Sequence, residues 1–307
     1  MVGDVPDNGS EHGGDVANDL LPTRYEKTMG PMKAPYAVER ITFDRSEANP
    51  GVTLDVHVPK LNKNEVLVPG SLALRFDIDL SGGHANNILV QNVSRVLVSK
   101  MVVKFEGTTL DETVDYDKYK IFTDLFLPEE KRCNMVTEGI QSETLCKIRS
   151  GAGDKDTSGV EAEEKLEEVY GKKYRINLDH QILTDHGAFY PQALYTDLVF
   201  EVTLAPASQV VKGSDETKLN YKLTNIELEY EMIRSENLAN EATSAYTQGK
   251  EFLYDHVSRF IMHTIDKTCP LINIKVNSQR RSMKGILLLF VSLTMRGQEI
   301  QKKVHLS

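Results

Sequence analysis

The chain has 307 residues, 40% of them hydrophobic, a length and composition that allow one large globular domain or two medium ones. Its formal net charge of −9 at pH 7 excludes a general attraction to phosphate backbones, which disfavours nucleic-acid binding by simple electrostatics. The three cysteines, Cys133, Cys146 and Cys269, fit no CxxC zinc pattern and predict free thiols in a reducing compartment.

Residues 1–34 predict a flexible N-terminal arm. Gly, Asp and Asn dominate this segment, which has neither the basic start nor the apolar run of a signal peptide. The longest apolar run of the chain, Gly285–Leu293, is about half the length of a membrane span and predicts a buried strand instead. We therefore expect a protein that is not secreted and that has no membrane span.

Alternation of apolar and polar residues predicts β-strands from Gly51 onward. In residues 51–60 the apolar positions alternate with polar ones that include His57, so this imidazole is expected to face solvent. Residues 71–83 repeat the alternation and end in a glycine pair, which is a turn signal. Residues 93–110 predict further strand, with a turn near Glu106-Gly107.

The segment 111–140 predicts two helices. Tyr119, Phe122 and Phe126 stand at helical spacing before Pro128, and a second helix can begin at Pro128 because proline and acidic residues favour a first turn. The hydrophilic residues 149–173 predict an exposed loop with a short charged helix.

Strands return after this insertion. Alternation predicts them in residues 174–183, 197–206 and 221–233, and the slip between Leu223 and Ile226 predicts a bulge or a later strand start. Ser235 is a candidate N-cap for a helix that ends at Gly249. Further strands are expected in residues 252–265, 270–276 and 285–295.

Strands separated by turns, with few βα alternations, predict a mainly β, antiparallel sandwich or barrel with few short helices. The predicted organisation is an arm over residues 1–34, a first β domain over 35–233, a helical linker over 234–249 and the start of a second β domain over 250–307.

The segment "LDHQILTDHG", Leu178–Gly187, contains two Asp-His pairs that are candidates for metal or acid–base chemistry: Asp179-His180 and Asp185-His186. If residues 174–183 form one strand, a rise of about 3.3 Å per residue separates the pairs by about 20 Å. Adjacent side chains on a strand also point to opposite faces. Only a sharp turn at Thr184-Asp185 could bring the pairs together, so we predict a structural role for them.

Other candidate sites are weaker. In the loop beginning at Asp154, four residues match EF-hand calcium positions, but the position of the bidentate glutamate is Lys165. The chain has no P-loop, GxSxG or HExxH motif. We therefore expect no enzymatic activity, no catalytic, cofactor-binding or metal-binding residues, and no cofactor.

A ligand- or glycan-binding β-sandwich is an alternative, since jelly rolls also form lectins and cupins. The cupin version needs two or three histidines and a glutamate that converge inside one barrel. The candidates in the first β domain are His57, His84, His180 and His186. The outward position predicted for His57 counts against this alternative.

Four ordered blocks carry a resemblance to a known family. They are "SETLCKIRSGAGDKDTSGV", "YGKKYRINLDHQILTDHGAFYPQALYTDLVFEVTLAP", "NIELEYEMIRSENLA" and "NSQRRSMKGILLLF". Together they resemble the major capsid proteins of Polinton/Maverick elements and the related adintoviruses, from about Pro22 to Phe290.

The resemblance implies a double jelly roll: two eight-stranded antiparallel sandwiches side by side, with three copies forming a pseudo-hexameric capsomer of an icosahedral shell around double-stranded DNA. The implied partners are further copies of the chain, penton and minor capsid proteins, without sequence-specific nucleic acid. The implied location is the virion capsid, or the nucleus or cytoplasm of a host. In this family Asp185 and His186 would orient a loop.

The family's second jelly roll continues well beyond the block that ends at Phe290, whereas this chain ends at Ser307. This departure predicts a second roll that is incomplete by around five of its usual eight strands. An alternative function is therefore a truncated or domesticated capsid remnant that is inert or interferes with the assembly of intact relatives.

Overall fold

A computed structural model of the chain describes residues 36–80, 87–133, 135–140, 146–147, 149–150, 173–213, 215 and 218–257. Most of these residues belong to antiparallel strands or to the turns between them. In chain order the strands are β1 (Tyr36–Thr42), β2 (Glu47–Ala48), β3 (Thr53–His57), β4 (Glu65–Leu67), β5 (Ala73–Asp79), β6 (Ile88–Leu89), β7 (Val98–Phe105), β8 (Thr108–Val114), β9 (Tyr174–Asn177), β10 (Leu198–Leu204), β11 (Val211–Lys212) and β12 (Lys222–Arg234).

The helices are short and lie in the connections. They are α1 (Val93–Val96), α2 (Tyr116–Asp124), α3 (Glu129–Cys133), α4 (Gln181–Thr184), α5 (Ala207–Val210) and α6 (Glu236–Thr247), with 3-10 turns at Val136–Glu138 and Pro191–Ala193. Among the described residues α6 follows the last strand, and the hydroxyl of Ser235 caps this helix by accepting the N–H of Leu238.

Two sheets contain the eight principal strands. Sheet A has the order β1-β12-β5-β9, with β2 and β4 also paired to β12. Sheet B has the order β3-β10-β7-β8, and a separate two-stranded ladder joins β6 to β11. All of these pairings are antiparallel.

The strand order is that of one long hairpin wrapped around itself. Counted along the chain, the first principal strand pairs with the eighth (β1 with β12), the second with the seventh (β3 with β10), the third with the sixth (β5 with β9) and the fourth with the fifth (β7 with β8). Two further pairings, β12 with β5 and β10 with β7, then join these four strand pairs into two sheets. This is the topology of a complete jelly roll.

The core lies between the two sheets because each strand turns its apolar positions inward. In β10 the residues Leu198, Phe200, Val202 and Leu204 are buried, and they alternate with partly exposed residues. They belong to one apolar cluster that also contains Phe76 of sheet A. The two sheets of the sandwich therefore enclose a single hydrophobic core.

The structure confirms the predicted mainly β, antiparallel class with few short helices. It also confirms the bulge in the last strand: the register of β12 against β5 shifts between Thr224 and Glu227, and Asn225 has a φ of 51°. The turn at Glu106-Gly107 is present, with both residues at positive φ.

Four local predictions were wrong. Residues 93–96, predicted as strand, form the helix α1. The segment from Asp111 to Val114 belongs to strand β8, so the first helix begins only at Tyr116. Strand β9 ends at Asn177, and residues 181–183, predicted as strand, belong to α4. Residues 252–257, predicted as the start of a strand, have no regular secondary structure.

Several predictions fall outside the residues that the structure describes. These are the arm over residues 1–34, His84, the loop from Asp154 to Lys165, Cys269 and the strands predicted after Val257. The division of the chain into domains stays a prediction. Of the cysteines, Cys146 is a buried thiol.

Candidate functional site

The first Asp-His pair lies at one open side of the sandwich, between the edge strands β8 and β9. After β9 the chain passes through Asp179 and His180 and enters α4. His180 is the N-cap of this helix, because its Nδ1 accepts the backbone N–H of Ile182 at 3.3 Å. The early end of the strand therefore turns both side chains of the pair toward neighbouring elements.

His180 contacts a carboxylate that sequence reasoning did not single out. Asp111 lies opposite the core residue Val103 in the ladder of β8 and β7, and this register directs its side chain inward. His180 Nε2 lies 3.1 Å from Asp111 Oδ2, and His256 Nδ1 contacts Asp111 Oδ1. The Asp111 side chain is only 5% exposed. Two imidazoles thus share one buried carboxylate.

The two imidazoles decide the ionisation of Asp111. Burial by itself raises the pKa of this carboxyl, but hydrogen bonds and charge from His180 and His256 outweigh burial and lower the pKa below its usual 3.8. Asp111 is therefore a carboxylate at neutral pH and accepts from both rings.

The hydrogen bonds of His180 also assign its tautomer. Since Nδ1 accepts from Ile182, the proton of the neutral ring is on Nε2, the atom that faces Asp111. A nitrogen that carries a proton has no lone pair for a metal ion. Across the described part of the chain, no group of three or more His, Cys, Asp or Glu side chains has the arrangement of a metal site.

Asp179 belongs to an adjoining set of contacts made by α2. It accepts the hydroxyl of Tyr116 at 3.2 Å and the ammonium of Lys120 at 2.6 Å. Burial raises the pKa of Asp179, but Lys120 and the other partners outweigh burial and lower it. Burial also raises the pKa of the Tyr116 hydroxyl well above its usual value. A neutral phenol and a carboxylate therefore hold α2 to the end of β9.

A buried arginine continues this polar network. Arg95 of α1 is 6% exposed at its side chain; its Nε lies 2.9 Å from Asp124 Oδ2 and its Nη2 lies 2.6 Å from Glu138 Oε2. Asp124 is the last residue of α2, and Glu138 ends a 3-10 turn. One guanidinium thus joins three elements from two connections of the roll, the one between β6 and β7 and the one between β8 and β9.

The second Asp-His pair lies near the chain that leaves α6. We name residues 250–257 the strap. His186 Nε2 lies 2.7 Å from the carbonyl oxygen of Leu253 and 3.1 Å from its backbone nitrogen, and Lys250 donates to the carbonyl of His186 at 2.9 Å. His186 therefore positions a surface segment, whereas Asp185 accepts the hydroxyl of the neighbouring Thr184.

The predicted histidine candidates do not converge. His57 is exposed on the outer face of sheet B, beside Asp197, whereas His180 lies on the inner side of the roll. His186 contacts the strap. The set that the cupin alternative needs is therefore not assembled by these three side chains.

The residues that sequence reasoning missed are Asp111, Arg95 and His256. Asp111 occupies an inward position of β8, but the residues around it were predicted as helix. Arg95 and His256 had no motif around them, and their partners are distant in sequence. Chemically, the arrangement is a set of hydrogen bonds and ion pairs between elements, and it suits stabilisation of the roll.

Within the described residues no helix is long and apolar enough to cross a membrane. No family model matches the sequence. No curated protein matches it either.

Solved structures with similarity to this chain include the following three. A quasi-atomic model of the PBCV-1 virus capsid matches with a TM-score of 0.44 and 14% identity, covering 71% of this chain and 47% of that one. PBCV-1 VP54 fitted into a reconstruction of the virophage Sputnik gives 0.43 and 14%, with the same coverages. The mavirus major capsid protein gives 0.34 and 10%, covering 76% and 52%. The chain thus spans about half the length of these proteins, and its jelly-roll assignment depends on its own strand order.

Proposed function

We propose that this chain is a structural subunit of a viral capsid. The observation that carries the proposal is the wrapped pairing of the eight principal strands, which builds one complete jelly roll from β1 to β12. Jelly rolls serve viral capsids, lectins and cupins. The sequence blocks that resemble capsid proteins select the first of these roles.

The polar residues of the roll support a structural role. Asp111, Asp179 and Glu138 are each engaged by side chains of other elements of the roll. Groups held in this way stabilise connections and are not presented to a substrate.

The outer face of sheet B is polar. Cross-strand ion pairs join Lys100 to Glu112 and Lys104 to Glu201. Such pairs keep a solvated sheet face soluble. A polar sheet face of this kind fits the side of a capsid subunit better than it fits a concave ligand-binding site.

We further propose that the shell is of the Polinton/adintovirus type. In this proposal three copies form a pseudo-hexameric capsomer, penton and minor capsid proteins complete the shell, and the protein resides in the virion. The ordered blocks on either side of α6 support this assignment, since a double jelly roll needs two β domains joined by a connection such as this helix.

The test is the solution mass of the 307-residue chain, measured by light scattering coupled to size exclusion over a range of concentrations. We expect a trimer of three times 34.5 kDa, about 104 kDa. A chain that stays monomeric at all concentrations, with a cooperative thermal transition showing that it is folded, contradicts the trimer. Electron microscopy of the purified trimer then tests for a three-lobed particle with six-fold pseudosymmetry.

A further inference from the structure

The strap closes the open side of the sandwich between β8 and β9. After α6 the chain turns at Gly249, which has a φ of 83°, and enters the strap. Tyr254 donates its hydroxyl to the carbonyl of Leu110 in β8 at 2.9 Å. Gln181, four residues beyond the end of β9, accepts the N–H of Asp255 at 2.5 Å. The strap therefore bridges the two edges and fixes where the chain leaves the roll.

The strap is held by directional contacts more than by burial. Leu253 is 75% exposed, and its backbone is bound by His186. The strap's apolar contacts with the core come from Phe252, whose ring packs on Phe189 and Tyr246, and from Tyr254, and both side chains are only partly buried. A segment with few buried apolar groups opens at a low free-energy cost, so its hydrogen bonds decide whether it is docked.

Unlike the contact of His186 with the backbone of Leu253, the contact between His256 and Asp111 joins an imidazole to a carboxylate, so a proton on the imidazole strengthens it. A neutral imidazole donates one ordinary hydrogen bond to the carboxylate, whereas an imidazolium adds a full ion pair. The His256 side chain is 31% exposed, so protons reach it, while Asp111 is 5% exposed and is screened little by solvent.

The other charged and titratable groups around this contact come from several elements. His180 faces Asp111 from the N-terminus of α4 and contacts the Tyr254 ring at 5.2 Å between centroids. Tyr119 of α2 lies within electrostatic range of Asp111. Asp255 of the strap and Asp179, which Lys120 compensates, lie in turn within range of Tyr119. Protonation of His180 would place an N–H against the N–H of Ile182, so we assign the added proton to His256.

We propose that Asp111, His180 and His256 form a proton-dependent latch that holds the strap closed at mildly acidic pH and loosens it at alkaline pH. Asp111 provides the carboxylate, which stays in place on β8, and His180 orients it. His256 moves with the strap when the strap opens. This inference does not depend on the capsid role, because it concerns only how the strap is attached to the roll.

Hydrogen exchange of the full chain, read by mass spectrometry on peptides covering residues 250–257, tests the latch. The amide of Asp255 is the informative one, because its acceptor, the side-chain oxygen of Gln181, belongs to the roll and does not titrate. After correction for intrinsic exchange rates, we expect these peptides to be about fivefold better protected at about pH 6 than at about pH 8. Protection that is equal at both pH values, or greater at the higher one, overturns the proposal.

Variants separate the latch from general effects of pH. His256→Gln and Asp111→Asn should each remove the pH dependence of strap exchange, while peptides from β10 stay protected in both. His57→Gln is the matched control, because His57 also contacts a carboxylate, Asp197, but lies exposed on the outer face of sheet B. A His256→Gln chain that retains the full pH dependence of the strap refutes the latch. If Asp111→Asn also raises the exchange rate of the β10 peptides, that variant destabilises the whole roll, and the His256→Gln result alone tests the latch.

Discussion

Replacing Arg95 by methionine should destabilise the roll more than any surface substitution. The guanidinium is 6% exposed and neutralises two carboxylates, Asp124 and Glu138, whose side chains are only 13% and 11% exposed. Removing one partner of a buried ion pair leaves an uncompensated charge, at a cost of about 3–5 kcal/mol. For a roll of this size such a loss lowers Tm by roughly 10 °C.

Thermal and urea unfolding followed by circular dichroism measure this loss. Arg40→Met is the matched control, since Arg40 is 56% exposed and its partner Glu229 keeps the guanidinium of Arg75 at 3.0 Å. The control should lose no more than about 1 kcal/mol. Adding Asp124→Asn and Glu138→Gln to Arg95→Met should restore part of the loss, because no buried charge is then left unpaired. The reasoning is refuted if Arg95→Met and Arg40→Met unfold at the same urea concentration.

Three further predictions concern packing, backbone and pH. Phe200→Ala empties a fully buried position of the central strand β10 and should cost about 3–5 kcal/mol in urea unfolding; a loss below 1 kcal/mol would mean that the core closes around the gap. Gly139→Ala should cost about 2–4 kcal/mol in thermal unfolding, because Gly139 has a φ of 78° and a Cβ there would lie 2.9 Å from the backbone nitrogen of Val93. An unchanged stability would show that this turn can move. The lowered pKa of Asp111 adds folding stability that is complete above the unfolded value of 3.8 and is lost as the pH falls through the folded value. Asp111→Asn should therefore flatten the acid side of the curve of unfolding free energy against pH. An unchanged acid side would contradict this prediction.

The strands could be predicted from sequence because a sandwich with one buried face per strand repeats every two residues. β3, β5 and β10 show this pattern, and β12 shows it with one slip, at the bulge near Asn225. The helix α6 was predictable from its cap, Ser235. These signals are local, and local periodicity is what strand and helix burial impose on a sequence.

The polar network could not be predicted because its partners are distant in sequence. His256 and Asp111 are 145 residues apart, and Arg95 and Asp124 are 29 apart. The strand β8 was misassigned for a related reason. As an edge strand with the polar residues Asp111 and Thr113 on its inner face, it lacks the apolar alternation of the central strands. The Asp-His pairs were detected, but the role of His180 as a helix cap follows from the early end of β9, and the role of His186 depends on where residues 250–257 pass.

The long strand β12, because it lies near the end of the roll, affects how the chain folds during its synthesis. It fills the place between β1 and β5 in sheet A and also pairs with β2 and β4, so all four have an unpaired edge until it arrives. Because β12 begins at Lys222, synthesis of the intervening chain takes about 10–40 s after β1 has been made. During that interval the nascent chain exposes strand edges that can pair with neighbouring chains. A holdase should therefore bind ribosome-bound nascent chains that end before residue 222 and release those long enough for Arg234 to have left the ribosomal exit tunnel.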